Sequence, residues 1–209
     1  MVASLFPIVN PLGNTPIFLS LTKGFSSELR TVLARKIAFN GFCLLVVSLL
    51  IGTHILAFFG ISLPVVQVGG GLVVISTGWA LLNQKEEGTQ DSSSPKTASA
   101  SDISEQAFYP LTLPLTVGPG SISVAITVGA NRPPGSETSW YLPIAAILGA
   151  AVIGLSIYLS YRFAERIARA LGQTAMNVLI RLSSFILLCI GVQIVWNGAS
   201  ALLRSLNRG

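Results

Sequence analysis

Charge is scarce in this chain. Of 209 residues, only 10% are Asp, Glu, Lys or Arg, against 51% hydrophobic; a soluble domain carries about 25% charged residues. The few charges cluster in short segments and leave long stretches bare, the pattern of a polytopic helical membrane protein, whose spans each need about 20 mostly apolar residues. Alternating segments of about ten residues, the mark of a transmembrane barrel, are missing. Cysteine is limited to Cys43 and Cys189, both inside apolar segments and with no metal-ligand spacing to each other or to the single histidine. They read as small buried packing residues, not as a disulfide or metal site. No nucleophile elbow, Walker sequence or His-Glu zinc helix occurs, so the chain is read as a non-enzyme with no catalytic residue, metal or cofactor.

What is present is six apolar stretches. The expected spans are Ala3 to Thr22, Ile37 to Phe59, Leu63 to Asn83, Ala107 to Ala130, Trp140 to Tyr161 and Ile180 to Leu203. None contains Asp or Glu, which argues against carboxylate proton coupling. The start lacks a basic region and a cleavage site, so the first stretch reads as a retained helix and not as a removed signal peptide. Gln84 to Glu105 is polar and mixed in charge, with Ser92-Ser93-Ser94-Pro95 at its centre. Such a stretch buries too little surface to offset its ordering and is expected to be a disordered linker. The expected organisation is a first three-helix repeat over 1–83, a linker over 84–106 and a second three-helix repeat over 107–209.

The net charge of +5 follows from topology and not from a nucleic-acid partner. Loops after odd-numbered spans hold ten basic residues (Lys23, Arg30, Arg35, Lys36, Lys85, Lys96, Arg162, Arg166, Arg169 and Arg181), and the opposite side holds three (Arg132, Arg204 and Arg208). The positive-inside rule places the linker in the cytoplasm and both termini outside. Arg162 to Arg169 reads equally as a basic surface segment or as a plain positive loop.

One phrase occurs twice. Phe6-Pro7, Pro11-Leu12 and Pro16 recur as Tyr109-Pro110, Pro114-Leu115 and Pro119, each 103 positions later. Proline inside an apolar helix is costly, because it deletes a hydrogen bond and clashes with the preceding turn. A three-span half begins on one side and ends on the other, so the second half enters upside down, making an inverted repeat. Gly70-Gly71-Leu72 before Gly78 also aligns with Ser183-Ser184-Phe185 before Gly191, now with an offset of 113. The ten extra positions place an insertion around Arg132 to Thr138 or Arg162 to Thr174.

Backbone groups freed by such breaks must be satisfied by neighbours, water or a ligand. A kinked packing helix or a re-entrant plug accounts for one break alone. Two breaks brought together by inversion point to a binding or permeation site, with unwound carbonyls or half-helix termini facing the solute. The candidate substrate-binding residues are Asn10, Pro11, Gly13, Asn14, Pro16, Pro114, Thr116, Gly118, Pro119, Gly120 and Ser121. His54, near an outer span end, reads as hydrogen-bonded or interfacial before it reads as a proton relay. Gly69-Gly70-Gly71 and Ala146, Ala150, Gly154 read as close-packing faces, and Gln67, Gln193 and Asn197 as polar groups bonded between helices.

The stretches Asn10-Pro11-Leu12-Gly13-Asn14-Thr15-Pro16-Ile17-Phe18-Leu19 and Tyr109-Pro110-Leu111-Thr112-Leu113-Pro114-Leu115-Thr116-Val117-Gly118-Pro119-Gly120-Ser121-Ile122 resemble the MarC family of bacterial integral membrane proteins. Arg181-Leu182-Ser183-Ser184-Phe185 through Gln193 is similar to that family too. The resemblance implies an all-α protein with six transmembrane helices in the bacterial plasma (inner) membrane, grouped with LysE-like exporters of small solutes. It carries over no catalytic residue. Together these readings predict a secondary transporter that exports a small polar solute by alternating access. Its expected partners are the lipid bilayer and that solute, with self-association left open. A non-transporting scaffold or partner-binding subunit is the alternative.

Overall fold

The computed structural model describes residues 1–22, 24–83, 105–131 and 140–206, and is helical throughout them with no strand. Of the linker expected over 84–106, residues 84–104 lie outside the described residues, as does Arg132 to Thr138, one of the two stretches expected to hold the insertion. Glu105 and Gln106, placed in that expected linker, are helical.

The first expected span is two short helices, α1 (Val2–Val9) and α2 (Thr15–Leu21). Asn10 separates them in the left-handed region, φ 46° and ψ 57°, a conformation that Asn tolerates better than most residues. Pro11 follows, and Pro16 sits in the first turn of α2, where its missing N–H costs nothing.

Helix α3 (Ser27–Phe58) is capped by the Ser26 hydroxyl, which accepts from Leu29 N at 3.3 Å. It starts ten residues before the expected second span, because Glu28 to Lys36 continues as helix instead of forming a loop. It ends in a Schellman turn: Ile61 N donates to Leu56 O, Gly60 N donates to Ala57 O, and Gly60 has φ +66°. Helix α4 (Leu63–Leu82) follows at once with Pro64 in its first turn.

The fourth expected span is α5 (Ala107–Thr116) and α6 (Pro119–Ala130), bent by 66°. Helix α5 winds loosely, in π-like fashion. Tyr109 (ψ 125°) and Leu113 (ψ 127°) are extended, because each precedes a proline whose ring disfavours the α region. Helices α7 (Tyr141–Arg162) and α8 (Ala164–Leu206) complete the described chain; Gly172, at φ +69°, divides α8 into a short basic segment and an apolar remainder.

Among the described residues, four helices are long and apolar enough to cross a membrane: Ser27–Phe58, Leu63–Leu82, Tyr141–Arg162 and Thr174–Leu206. The bent pair α5–α6 makes a fifth, either a broken span or a re-entrant loop. The α1–α2 pair, of eight and seven residues, falls short of the roughly 20 that one straight span requires.

The core lies where α1, α2, α3, α5 and α7 converge, with Leu5, Val9, Phe18, Leu33, Ile37, Ile153, Ile157 and Tyr161 buried. Outward faces are strongly apolar, with Phe39, Leu72, Leu148, Leu155, Leu182 and Phe185 exposed. Exposure on that scale suits lipid and not water. Helices α4 and α8 run antiparallel and meet through glycine. A Cβ on Gly198 would lie 2.7 Å from Pro64 O, one on Gly71 2.9 Å from Gly191 O, and one on Gly78 3.0 Å from Ser184 O. Without side chains there, the two backbones touch. Gln193 and Asn197, expected to bond between helices, instead pair with each other along α8 (Nε2 to Oδ1, 2.9 Å), exposed and one turn apart.

Candidate functional site

The two proline breaks are in contact. Asn14, 6% exposed, stands at the start of α2. Its amide nitrogen donates to Val9 O at 3.0 Å and to Leu115 O at 3.1 Å. An amide has two protons, so each goes to a carbonyl freed by one of the breaks. This is the accounting that an apolar surrounding demands.

Hydroxyls take up more of these carbonyls. Thr15 Oγ1 donates to Pro11 O at 3.0 Å, Thr112 Oγ1 to Ala107 O at 2.6 Å and Thr116 Oγ1 to Leu111 O at 2.7 Å. The last two span five residues, the interval that π-like winding brings within reach. Thr116 Oγ1 also lies 2.8 Å from Tyr161 Oη. A threonine hydroxyl carries one proton, and Thr116 gives its own to Leu111, so Tyr161 is the donor in this pair. The Tyr161 ring, 1% exposed, stacks on Phe18 with centroids 4.4 Å apart and planes 4° from parallel. The Asn14 side chain lies beside its hydroxyl. One tyrosine at the end of α7 therefore touches both breaks.

The other candidate residues divide. Asn10 Oδ1 accepts from Gly13 N at 3.2 Å and closes the first turn locally. A Cβ on Gly13 would collide with that Asn10 side chain at 2.2 Å. Pro11 is buried, Asn10, Pro16 and Gly118 are half-buried, and Pro114 and Pro119 are exposed. Gly118 caps α6, and a Cβ there would meet Pro114 O at 2.8 Å. Gly120 faces α4, where a Cβ would meet Val74 at 2.2 Å and Gly70 O at 3.5 Å. Ser121 is buried. Thus Asn14 and Thr116 meet at the junction, while Asn10, Gly13, Gly118 and Gly120 shape the backbone around it. His54 is exposed near the C-terminal end of α3.

Sequence reasoning missed Tyr161. It ends an apolar stretch beside Arg162, the signature of an interfacial aromatic, and its partner lies 45 residues away. It missed Arg30 as well, whose Nε and Nη2 both donate to Thr22 O at 3.2 Å while Nη1 pairs with Glu165. Arg30 thereby ties α2, α3 and α8 together.

Beside this knot is an open cavity of about 390 Å³, lined by Arg30, Arg162, Arg166, Arg169, Glu28 and Glu165, with Tyr161 also in its wall. Four guanidinium groups face two carboxylates there. Arg162 bonds the Tyr158 hydroxyl at 2.7 Å, and Arg162 and Arg166 lie over the Phe163 ring.

Comparison with known proteins agrees with a membrane location. The model of the MarC family integral membrane proteins matches residues 1–203. The chain is 32% identical to the UPF0056 membrane protein YvbG of Bacillus subtilis, over 93% of this chain and 90% of that protein. It is 30% identical to a UPF0056 membrane protein of Archaeoglobus fulgidus, over 98% and 92%. It is also 29% identical to the UPF0056 inner membrane protein MarC of Escherichia coli, over 96% and 93%. No solved structure matches the chain. A family match across nearly the whole length, joined to long apolar helices with lipid-suited faces, gives the conclusion: the chain belongs to the MarC family of integral membrane proteins and sits in a lipid bilayer.

Proposed function

We propose that this protein is a secondary transporter that exports a small polar solute through a site built from its two breaks. The observation that carries the proposal is the double donation of the Asn14 amide to Val9 O and Leu115 O. Main-chain carbonyls from both breaks share one side-chain donor, an arrangement suited to exchanging internal partners for those of a solute. The groups that meet there are amide, hydroxyl and phenol. That supports reading the chain as non-catalytic and its selectivity as one for neutral or singly charged polar groups.

We read the fold as two inverted three-helix repeats, with α1–α2, α3 and α4 corresponding to α5–α6, α7 and α8. The packing supports this: α3 lies on α7 and α4 on α8, the pairs that the repeat equates. An offset of 113 carries Gly71 onto Ser184 and Gly78 onto Gly191. The contact of Gly191 with Gly71 O, at 3.0 Å, then becomes the contact of Gly78 with Ser184 O, also at 3.0 Å, and both are present. Exchange of the two helices leaves the pair unchanged, as a two-fold axis requires. The same offset carries Gly41 onto Gly154, and both lie where α3 and α7 touch. The extra ten positions then precede Gly154, which favours the stretch Arg132 to Thr138 over Arg162 to Thr174 for the insertion. Alternating access is rocking of one repeat against the other, with both termini outside and the linker cytoplasmic.

The scaffold reading is favoured by one feature, the closure of the same junction, where Asn14, Thr15 and Thr116 are all buried. Proteoliposomes separate the two. Purified protein is reconstituted and exchange of a panel of isotope-labelled amino acids and small organic anions is followed. A transporter gives saturable flux that Gly118→Leu and Pro16→Ala reduce. Absent flux across the panel, with one stoichiometric partner recovered from native membranes, supports the scaffold.

A further inference from the structure

We propose that Tyr161 is the partition between the arginine-lined cavity and the two breaks, and that this cavity is a vestibule for an anionic solute. The inference rests on the reading of the breaks as the transport site, and names the gate and the solute's charge.

Tyr161 has two faces toward two environments. The residue belongs to the wall of the cavity of about 390 Å³. Its hydroxyl meets Thr116 Oγ1 at 2.8 Å and lies beside Asn14. Only 1% of the residue is exposed, so it stands packed between the cavity and the two breaks. Phe18 stacks flat against it at 4.4 Å, and Phe18 lies four residues after Asn14 on the short helix that leaves the first break. Movement of the first break therefore moves the ring's stacking partner. The bond to Thr116 and the stack on Phe18 fix the ring's orientation within the core, so its position follows both breaks.

The vestibule carries four guanidinium groups against two carboxylates. Arg30 is engaged with Thr22 O and Glu165, and Arg169 Nε donates to Glu165 O. Arg162 and Arg166 rest over the Phe163 ring at 5.9 and 5.4 Å. The surplus is positive, and the concave wall concentrates its field, drawing anions toward Tyr161. Past that ring the donors are hydroxyl and amide groups, which can bond a carboxylate or phosphate oxygen without carrying charge.

The test uses thiol labelling and needs no known substrate. In a full-length background with Cys43 and Cys189 replaced by serine, Thr116→Cys is labelled in membranes by an anionic and by a cationic methanethiosulfonate, each normalised to its rate on a free thiol. With Tyr161 present, labelling is slow. Tyr161→Ala accelerates it about tenfold or more, the scale set by losing one hydrogen bond and one stack. Tyr161→Phe keeps the ring and stays slow. In Tyr161→Ala the anionic reagent outruns the cationic one, and Arg162→Gln with Arg166→Gln removes that preference. Size-exclusion profiles establish that each variant is folded, and Tyr161→Leu replaces Tyr161→Ala where the alanine variant is not. Unchanged labelling in the opened variants, fast labelling in Tyr161→Phe, or no preference for the anion overturns the proposal. Absent solute flux with the labelling pattern intact removes the transporter reading and leaves the gate.

Discussion

Asn14→Ala tests the joint between the two breaks. The substitution removes two hydrogen bonds at once, to Val9 O at 3.0 Å and Leu115 O at 3.1 Å. A buried acceptor left without its donor costs about 1–3 kcal/mol in soluble proteins, whereas double-mutant cycles on side-chain bonds in a membrane average about 0.6 kcal/mol. A carbonyl retains a second lone pair and relaxes partly, so the lower half of the range applies to each. The expected loss is about 2–4 kcal/mol for the pair. Asn14→Leu keeps the bulk and loses the same donors, so it falls within about 1 kcal/mol of the alanine variant if hydrogen bonding and not packing is at stake. Asn14→Asp replaces the donor with a carboxylate that faces two carbonyl acceptors, and costs more than either. Reversible unfolding in mixed micelles, read by the fluorescence of Trp79, Trp140 and Trp196, gives the three differences. A loss below about 0.5 kcal/mol for Asn14→Ala refutes the reasoning, because the carbonyls would then be satisfied without it.

Three further outcomes follow from the same geometry. Gly71→Ala pushes a methyl against Gly191 O and Val195 N, each at 2.9 Å, and destabilises by about 1–3 kcal/mol as backbones separate. Gly69→Ala, where nothing lies within 4 Å, stays within about 0.5 kcal/mol of the parent; both are read by the same unfolding titration. Glu165→Gln costs less than about 1 kcal/mol in that assay, since its pair with Arg30 is partly exposed; Arg30→Gln costs more, because Thr22 O loses both of its guanidinium donors. Reporters fused within 84–104 and at the C-terminus report cytoplasmic and external positions respectively, and the reverse pattern contradicts the orientation drawn from the basic residues.

The sequence located the breaks well because proline and glycine act locally. Pro110 and Pro114 bias Tyr109 and Leu113 toward extended backbone through their own rings, and the 103-residue repeat of that pattern marks both sites. It located the edges poorly. Arg30, Arg35 and Lys36 read as a loop because they are charged, yet Arg and Lys are good helix formers, and α3 begins at Ser27. Hydropathy finds where a helix enters lipid and not where the helix starts. The first stretch divides because Asn10 turns left-handed, a choice that Asn permits but does not dictate. Gln193 and Asn197 looked like bonds between helices, although spacing of four also fits the pair along one helix that forms. Tyr161 was invisible because its role depends on Thr116 and Phe18, which only the tertiary fold brings to it.

The most direct test of the central claim, that the two breaks meet inside the membrane, is cross-linking of Asn14→Cys with Leu115→Cys in native membranes, with Cys43 and Cys189 replaced by serine. The account predicts rapid intramolecular cross-linking by a short bifunctional thiol reagent, at a rate comparable to an Arg30→Cys and Glu165→Cys control across α3 and α8. Efficient cross-linking of the control with none between positions 14 and 115 contradicts it.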